Sequence, residues 1–230
     1  MNLTRFLLLL LLANPAIADI QSDLLGHIAP REQITDPAPD RFSVCFQHSC
    51  ARVEHVSLTT DQWFKVASFF SPEAMTAEEE RQQMAEAIAW LEVAVGSQID
   101  ALDDRGGNLE GFTASGNQLD CVDESINSTT YITMMQNAGF LRFHRAEKRA
   151  TRGGLFFGGV WPHSTAVVSE IDTGRKWAVD SWFFDNGEKP TVVQLRKWRT
   201  GWSPEGAKHG PWPNFASGCS VCSCHCRRAY

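Results

Sequence analysis

Three residues in the second half of the chain, Cys121, His163 and Asp180, have types and an order suited to nucleophilic acyl chemistry. A cysteine attacks as its thiolate, an imidazole within hydrogen-bond reach takes the proton, and a carboxylate on the other ring nitrogen fixes the tautomer. Asp120 is a helix-capping residue type, which places Cys121 in the first turn of a helix. There, unpaired backbone N–H groups and the helix dipole favour negative charge. The neighbouring Asp120, Asp123 and Glu124 oppose ionisation, so the thiol needs a cationic partner. His163 follows Trp161-Pro162 and opens a strand, and Asp180 lies on the strand that returns. If Asp172 and Thr173 form the tip of the turn, His163 lies opposite Trp182, with Asp180 one diagonal step away on the same face. A slip of one residue would put the two on opposite faces. Read without that partnership, the same residues are a buried structural cysteine, a surface histidine and an aspartate supporting a turn.

Acyl transfer also requires donors for an oxyanion. The backbone N–H of Cys121 is one candidate, and the side chain of Gln118 or Asn117, just upstream, is another. Trp161 and Trp182 flank the expected histidine and aspartate and are candidates for the wall of a cleft, with Phe183 and Phe184 beside them. Most aromatic residues at consecutive strand positions belong to a core, so only one or two are expected at the cleft.

The elements that must position these groups are legible as patterns. Thr60 is read as the cap of a helix from Asp61 to about Phe70, stopped by Ser71-Pro72. Thr76 and Glu79 form a capping-box pattern, followed by Met84, Ile88, Leu91 and Val95 at helical spacing, with Gly96 as terminator. Residues 103–118 read as a loop. The segment from Cys121 to about Gln136 carries no charge after its first turn and many small residues, which predicts a central, buried helix. Ser164 to Ile171, Lys176 to Phe183 and Thr191 to Leu195 read as strands, separated by turns at Asp172–Arg175 and Asp185–Gly187. Helices followed by an antiparallel sheet predict an α+β fold: a central buried helix carrying the cysteine, packed on an antiparallel sheet carrying His163 and Asp180.

The N-terminus has the three parts of a secretory signal. One basic residue, Arg5, precedes an apolar run from Phe6 to Ala13, and Ala16-Ile17-Ala18 predicts cleavage after Ala18. That run is too short for a membrane span, which takes about 20 residues, and no later run is longer. Residues 1–18 are therefore read as a signal peptide, 19–40 as an extended lead-in rich in Pro and Asp, 41–205 as the main domain and 206–230 as a tail. A periplasmic or secreted location follows. The formal charge of −6 includes Arg5, so its loss gives −7. No Lys/Arg cluster precedes the extreme C-terminus, which argues against nucleic acid as a partner.

There are seven cysteines, an odd number. Export favours disulfides, so the close pair Cys45 and Cys50 is expected to be bridged, and isolated Cys121 is the natural free thiol. Cys219, Cys222, Cys224 and Cys226, with His225, are weak candidates for metal ligands. Their single-residue gaps suit one rigid tetrahedral site poorly, so no metal or other cofactor is expected.

Leu119-Asp120-Cys121-Val122-Asp123-Glu124, His163-Ser164-Thr165-Ala166-Val167-Val168 and Trp177-Ala178-Val179-Asp180-Ser181-Trp182 together resemble the transglutaminase-like branch of the papain-like superfamily. That branch includes bacterial transglutaminase-like cysteine proteinases and arylamine N-acetyltransferases. From Arg41 to Trp202 the chain is more closely similar to a family of exported bacterial proteins, through Phe42-Ser43-Val44-Cys45, Trp161-Pro162-His163 and Asp180-Ser181-Trp182-Phe183-Phe184-Asp185-Asn186-Gly187. The resemblance implies the papain-like or transglutaminase-like fold and a Cys121–His163–Asp180 triad. It implies no substrate. The expected activity is hydrolysis or transfer of an acyl group at an amide or ester, with a peptide, protein or peptidoglycan-like amide as partner. Two alternatives belong to other classes: a catalytically silent binding or assembly module of the same fold, and a metal-handling protein working through the cysteine-rich tail.

Overall fold

The computed structural model describes residues 33–108, 117–154 and 160–206. The expected signal peptide, the lead-in up to residue 32 and the four tail cysteines lie outside the described residues. Strands β1 (Phe42–Phe46) and β2 (Arg52–Val56) form an antiparallel hairpin. Helices α1 (Thr60–Ser68), α2 (Ala77–Ile99) and α3 (Cys121–Asn137) follow. Then come β3 (His144–Gly154), β4 (Val160–Glu170), β5 (Lys176–Asp180) and β6 (Thr191–Gln194), and a short helix α4 (Leu195–Arg199). The last four strands make one antiparallel sheet in the order β3-β4-β5-β6. The fold is α+β, and among the described residues no helix is long and apolar enough to cross a membrane.

Helix α3 lies at the centre because its own composition allows it. Its small and apolar side chains let a strand and a sheet approach from two sides. Tyr131, Ile132, Met134 and Met135 are fully or almost fully buried, with Phe42 and Val44 of β1 and with Ala166, Val168 and Val179 of the large sheet. Asn127 finds its partners in β1, accepting from the N–H of Cys45 at 2.7 Å and donating to its carbonyl at 2.9 Å. The opposite face of the sheet, with Ala150, Val167 and Ala178, is covered by Leu195 and Trp198 of α4. Alternation along β4 therefore sends Ala166 and Val168 towards α3, and Val167 towards α4.

Several boundaries differ from the pattern reading. The cap of α1 is Thr59 and not Thr60, because Thr59 and Gln62 satisfy each other's backbone N–H groups, at 3.2 and 2.8 Å. Helix α2 runs through Gly96 to Ile99 and ends on Asp100 in the left-handed conformation. Gly96 serves close packing instead of termination: a Cβ there would sit 3.2 Å from the Asn186 side chain. The return strand β5 stops at Asp180, three residues short of the predicted end. Leu195 opens α4 instead of closing β6. Strand β3 has no counterpart in the sequence reading. It is an edge strand with Arg145, Glu147, Lys148, Arg149 and Arg152, and such charge hides strand character while protecting a sheet edge.

The β1–β2 connection clamps the start of α3. Cys45 and Cys50 are disulfide-bonded. Gln47, His48, Ser49 and Cys50 all have φ between 55° and 64°, a run of left-handed residues that costs each non-glycine on the order of 1 kcal/mol. In that conformation successive N–H groups converge into an anion-binding concavity. The chain's own carboxylates fill it: Ser49 N–H donates to Asp120 at 2.9 Å and Cys50 N–H to Asp123 at 2.6 Å. Closing so small a ring stabilises by about 2 kcal/mol on loop entropy. Reduction is therefore expected to lower the melting temperature by roughly 4–8 °C, a shift readable by thermal denaturation with and without reductant. An unchanged melting temperature would show that the turn is held without the bridge.

Candidate active site

His163 and Asp180 are brought together. The β4–β5 pairs from Ser169↔Lys176 to Ala166↔Val179 have the register that a turn tip at Asp172-Thr173 requires, although the ladder ends before His163 and Trp182. Asp180 then lies diagonal to His163 on the same face. The His163 Nε2 is 2.7 Å from Asp180 Oδ2, and both side chains are almost completely buried. The same carboxylate oxygen accepts a hydrogen bond from Trp198 Nε1 at 2.6 Å. The imidazole is enclosed by aromatic rings: Trp182 at 4.7 Å, Phe183 at 5.3 Å and Trp198 at 5.5 Å between centroids. With Nε2–H directed at the carboxylate, the ring presents a lone pair at Nδ1, and among the described residues that buried nitrogen has no hydrogen-bond partner.

A second buried histidine–carboxylate pair shows what a purely structural one looks like. His144 Nδ1 meets Glu80 Oε1 at 2.8 Å, and its Nε2 meets Arg81 Nη1 at 3.2 Å. Glu80 also accepts the N–H groups of Arg142 and Phe143. Burial would push Glu80 up, but the hydrogen bonds from His144, Arg142 and Phe143 hold it below the ordinary carboxyl value. Both nitrogens of His144 are occupied, so this pair welds α2 to the start of β3. His163 differs by its one unoccupied nitrogen, which is costly to bury unless something else uses it.

Cys121 occupies the first turn of α3. Asp120 caps the helix, accepting from the N–H groups of Val122 and Asp123 at 2.9 and 3.0 Å, and Asp123 returns the favour to the Asp120 N–H. The thiol is free of disulfides and buried. Its sulfur meets the Pro162 carbonyl at 3.9 Å and the N–H of Ser164, the two residues flanking His163. Among the described residues it makes no hydrogen bond to the imidazole. Trp182 and Phe183 touch both the thiol and the histidine ring. Cys121 approaches from the α3 side of the sheet and the His163–Asp180 pair from the α4 side. Trp182 and Phe183, which follow the end of β5, stand between the two. Burial pushes the thiol well above its usual range, and the carboxylates of Asp120, Asp180 and Asp123 push the same way; the Ser164 N–H opposes them.

The other candidate residues fare differently. The Gln118 amide holds the adjoining loop: Oε1 accepts from the Arg105 N–H and the Asn108 side chain, and Nε2 donates to the Asp103 carbonyl. Asn117 donates to the carbonyls of Ile99 and Asp100. Trp182 is buried beside the pair and not displayed on a cleft surface. The side chain of Trp161 lies outside the described residues. Among the described residues, the grouping with metal-ligand spacing is Cys45, Cys50 and Asp123, and its sulfurs are spent on the disulfide.

Three contributors were not read from the sequence. Trp198 supplies the second donor to Asp180. Arg152 pairs across the sheet with His163 and lies 4.4 Å from the Trp198 ring centroid, donating to the carbonyls of Trp198 and Trp202. Arg149 donates to Ser125 Oγ at 3.1 Å, one helical turn beyond Cys121. The arginines, three apart in Arg149-Ala150-Thr151-Arg152, do not share a strand face and give no pattern to read; nothing local ties Trp198 to a residue 18 positions away.

Behind Cys121 lies a set of buried carboxyls from three segments: Glu92 of α2, Asp104 of the following loop, and Asp123 and Glu124 of α3. Asp104 accepts the Leu119 N–H at 2.7 Å and Glu92 the Gly187 N–H at 3.3 Å. Burial raises Glu92 and Asp104 to about 7 and Asp123 to about 8, each with a nearby carboxylate adding to the shift. Burial raises Glu124 most clearly, with Glu92, Asp104, Asp123 and Asp180 all pressing the same way.

No family model matches the chain, and no curated protein or solved structure matches it either. The site's chemistry therefore has to be argued from its own geometry.

Proposed function

We propose that the protein is a thiol enzyme of papain-like or transglutaminase-like design, which hydrolyses or transfers an acyl group at an amide or ester through Cys121, His163 and Asp180. The observation that supports this reading is the buried His163–Asp180 pair whose Nδ1 has no partner among the described residues, sharing the side chains of Trp182 and Phe183 with the free thiol of Cys121 at the start of α3. The Cys121 proton passes to His163 Nδ1 and sulfur attacks the carbonyl carbon. His163 returns that proton to the departing amine or alcohol as the C–N or C–O bond breaks, leaving a thioester. Water, or an acceptor amine, then gives its proton to His163 and displaces the sulfur. Asp180 keeps Nε2–H oriented and balances the transient imidazolium charge. The disulfide supports work in an oxidising, periplasmic or secreted setting.

A silent module of the same fold is the second reading. It is favoured by the upward push on the thiol and by the missing thiol–imidazole hydrogen bond. Labelling the full chain with a small thiol-directed electrophile, followed by peptide mapping, separates the two. The enzyme reading expects modification at Cys121 faster than that of the same thiol in the denatured chain, and none at that position in Cys121→Ala. Slower labelling than in the denatured chain would hand the case to the silent module.

A further inference from the structure

We propose that Arg149 anchors a carboxylate of the acyl substrate beside the Cys121 thiol, so that the substrates are amides or esters bearing a free carboxylate close to the scissile carbonyl. This rests on the thiol-enzyme reading and narrows its substrate class. Arg149 stands on edge strand β3 and turns towards the first turns of α3, where, among the described residues, its hydrogen bond is to Ser125 Oγ at 3.1 Å. Ser125 follows Cys121 by four residues, so the two lie on neighbouring turns of one helix face. Between the guanidinium and the thiol runs a polar strip. Thr151, two residues along the same strand face, pairs with Ser164, and their hydroxyls are 3.0 Å apart. The Ser164 N–H in turn points at the Cys121 sulfur.

The chemistry of the arginine indicates what is missing. A guanidinium has five N–H donors in a planar fork suited to a carboxylate. Arg149 is partly buried and, among the described residues, has no carboxylate within ion-pair distance. Partly burying a cation without an anion is unfavourable. Among the described residues, three other arginines meet a carboxylate: Arg52 meets Glu54, Arg81 meets Glu170 and Arg142 meets Glu73. A substrate carboxylate lying along the Thr151–Ser164 strip would take two of the free donors and leave its acyl carbon at the sulfur. Arg152 serves a different end, since its donors are spent on the carbonyls of Trp198 and Trp202.

Two alkylating reagents of similar size, iodoacetate and iodoacetamide, differ in the feature at issue. Both react with the thiolate and lose iodide, but only the first brings a carboxylate. Rates at Cys121 are measured by mass spectrometry on the full chain, and the ratio of the two is compared among variants. Arg149→Gln is expected to lower the iodoacetate-to-iodoacetamide ratio about tenfold. Arg149→Lys should keep most of it, and Ser125→Ala, which removes the structural hydrogen bond alone, should leave it unchanged. A guanidinium that merely stabilised the thiolate would change both rates alike and leave the ratio where it was. If Arg149→Gln does not fold, raising the salt from about 20 to about 500 mM should shrink the wild-type ratio by screening. Peptide electrophiles with a free α-carboxylate or an acidic side chain, each against its amide counterpart, identify the source of the anion. Preference for either acid supports the anchor, and preference for neither overturns it. A Cys121 that labels rapidly with a ratio indifferent to both Arg149→Gln and salt overturns the anchor alone. A Cys121 that resists both reagents overturns the thiol-enzyme reading and the anchor with it.

Discussion

Asp180→Asn is expected to slow alkylation of Cys121 at neutral pH by roughly 100-fold, the lower end of what a positioned acid–base group contributes, with little change in melting temperature. The asparagine keeps the shape and an acceptor oxygen for the N–H groups of His163 and Trp198, which lie 2.7 and 2.6 Å from Asp180 Oδ2. What it removes is the negative charge. A thiol pressed upward by burial and by Asp120 ionises only if its proton rests on an imidazole that can bear charge. An imidazolium enclosed by Trp182, Phe183 and Trp198 is poorly solvated without its carboxylate. The pH at which labelling reaches half its plateau should rise in the variant. A structural role for Asp180 would instead lower the melting temperature and leave the labelling rate per folded molecule intact.

The second large effect is on stability. The protein is expected to be most stable near pH 5 and to lose stability steadily towards pH 8. Burial holds Glu92 at about 7 in the folded chain against an ordinary 4.5. Below 4.5 the carboxyl is protonated in both states and its contribution is fully present. Between 4.5 and about 7 the unfolded chain releases the proton that the folded chain retains, so stability falls as pH rises. Above about 7 both states are ionised and the loss is complete. That gap corresponds to about 3 kcal/mol for Glu92 alone, or roughly 10 °C in melting temperature for a chain of this size. Asp104 adds a shift of the same sign, as do Asp123 and Glu124. Glu80, held below its ordinary value by His144 and two backbone N–H groups, acts oppositely and sets the acid limit below about pH 4.5. Glu92→Gln should raise the melting temperature at pH 8 and flatten the profile. A melting temperature that rises from pH 5 to pH 8 in the native chain would show that these carboxyls are ionised and solvated.

The parts of the fold that repeat locally were readable from the chain. Helical spacing and capping residues located α1, α2 and α3, and the absence of charge beyond the first turn identified α3 as the buried centre. The turn at Asp172–Arg175 set the β4–β5 register, and with it the common face of His163 and Asp180. Strand β3 escaped because an edge strand needs only one apolar face and one paired side, so its charges read as loop. Gly96 was misread because a terminating glycine and a glycine chosen for close packing look alike until its neighbour Asn186 is in place.

By itself, then, the sequence determined the residue types available for chemistry, the helix start that holds Cys121, and the hairpin that pairs a histidine with an aspartate, because all three depend on neighbours within a few turns or one hairpin. Only the tertiary structure decided what surrounds them. It put Trp198 on Asp180, left His163 Nδ1 without a partner among the described residues, and brought Arg149 to the flank of α3. It buried Glu92, Asp104 and Glu124 together from segments far apart in the chain, and brought Arg175 and Lys176 to the same surface groove as Arg196 and Arg199. The physical reason is common to all of these. Desolvation, charge–charge coupling and an unmet hydrogen bond are properties of an environment, and the environment of each group is assembled from segments that share no local pattern.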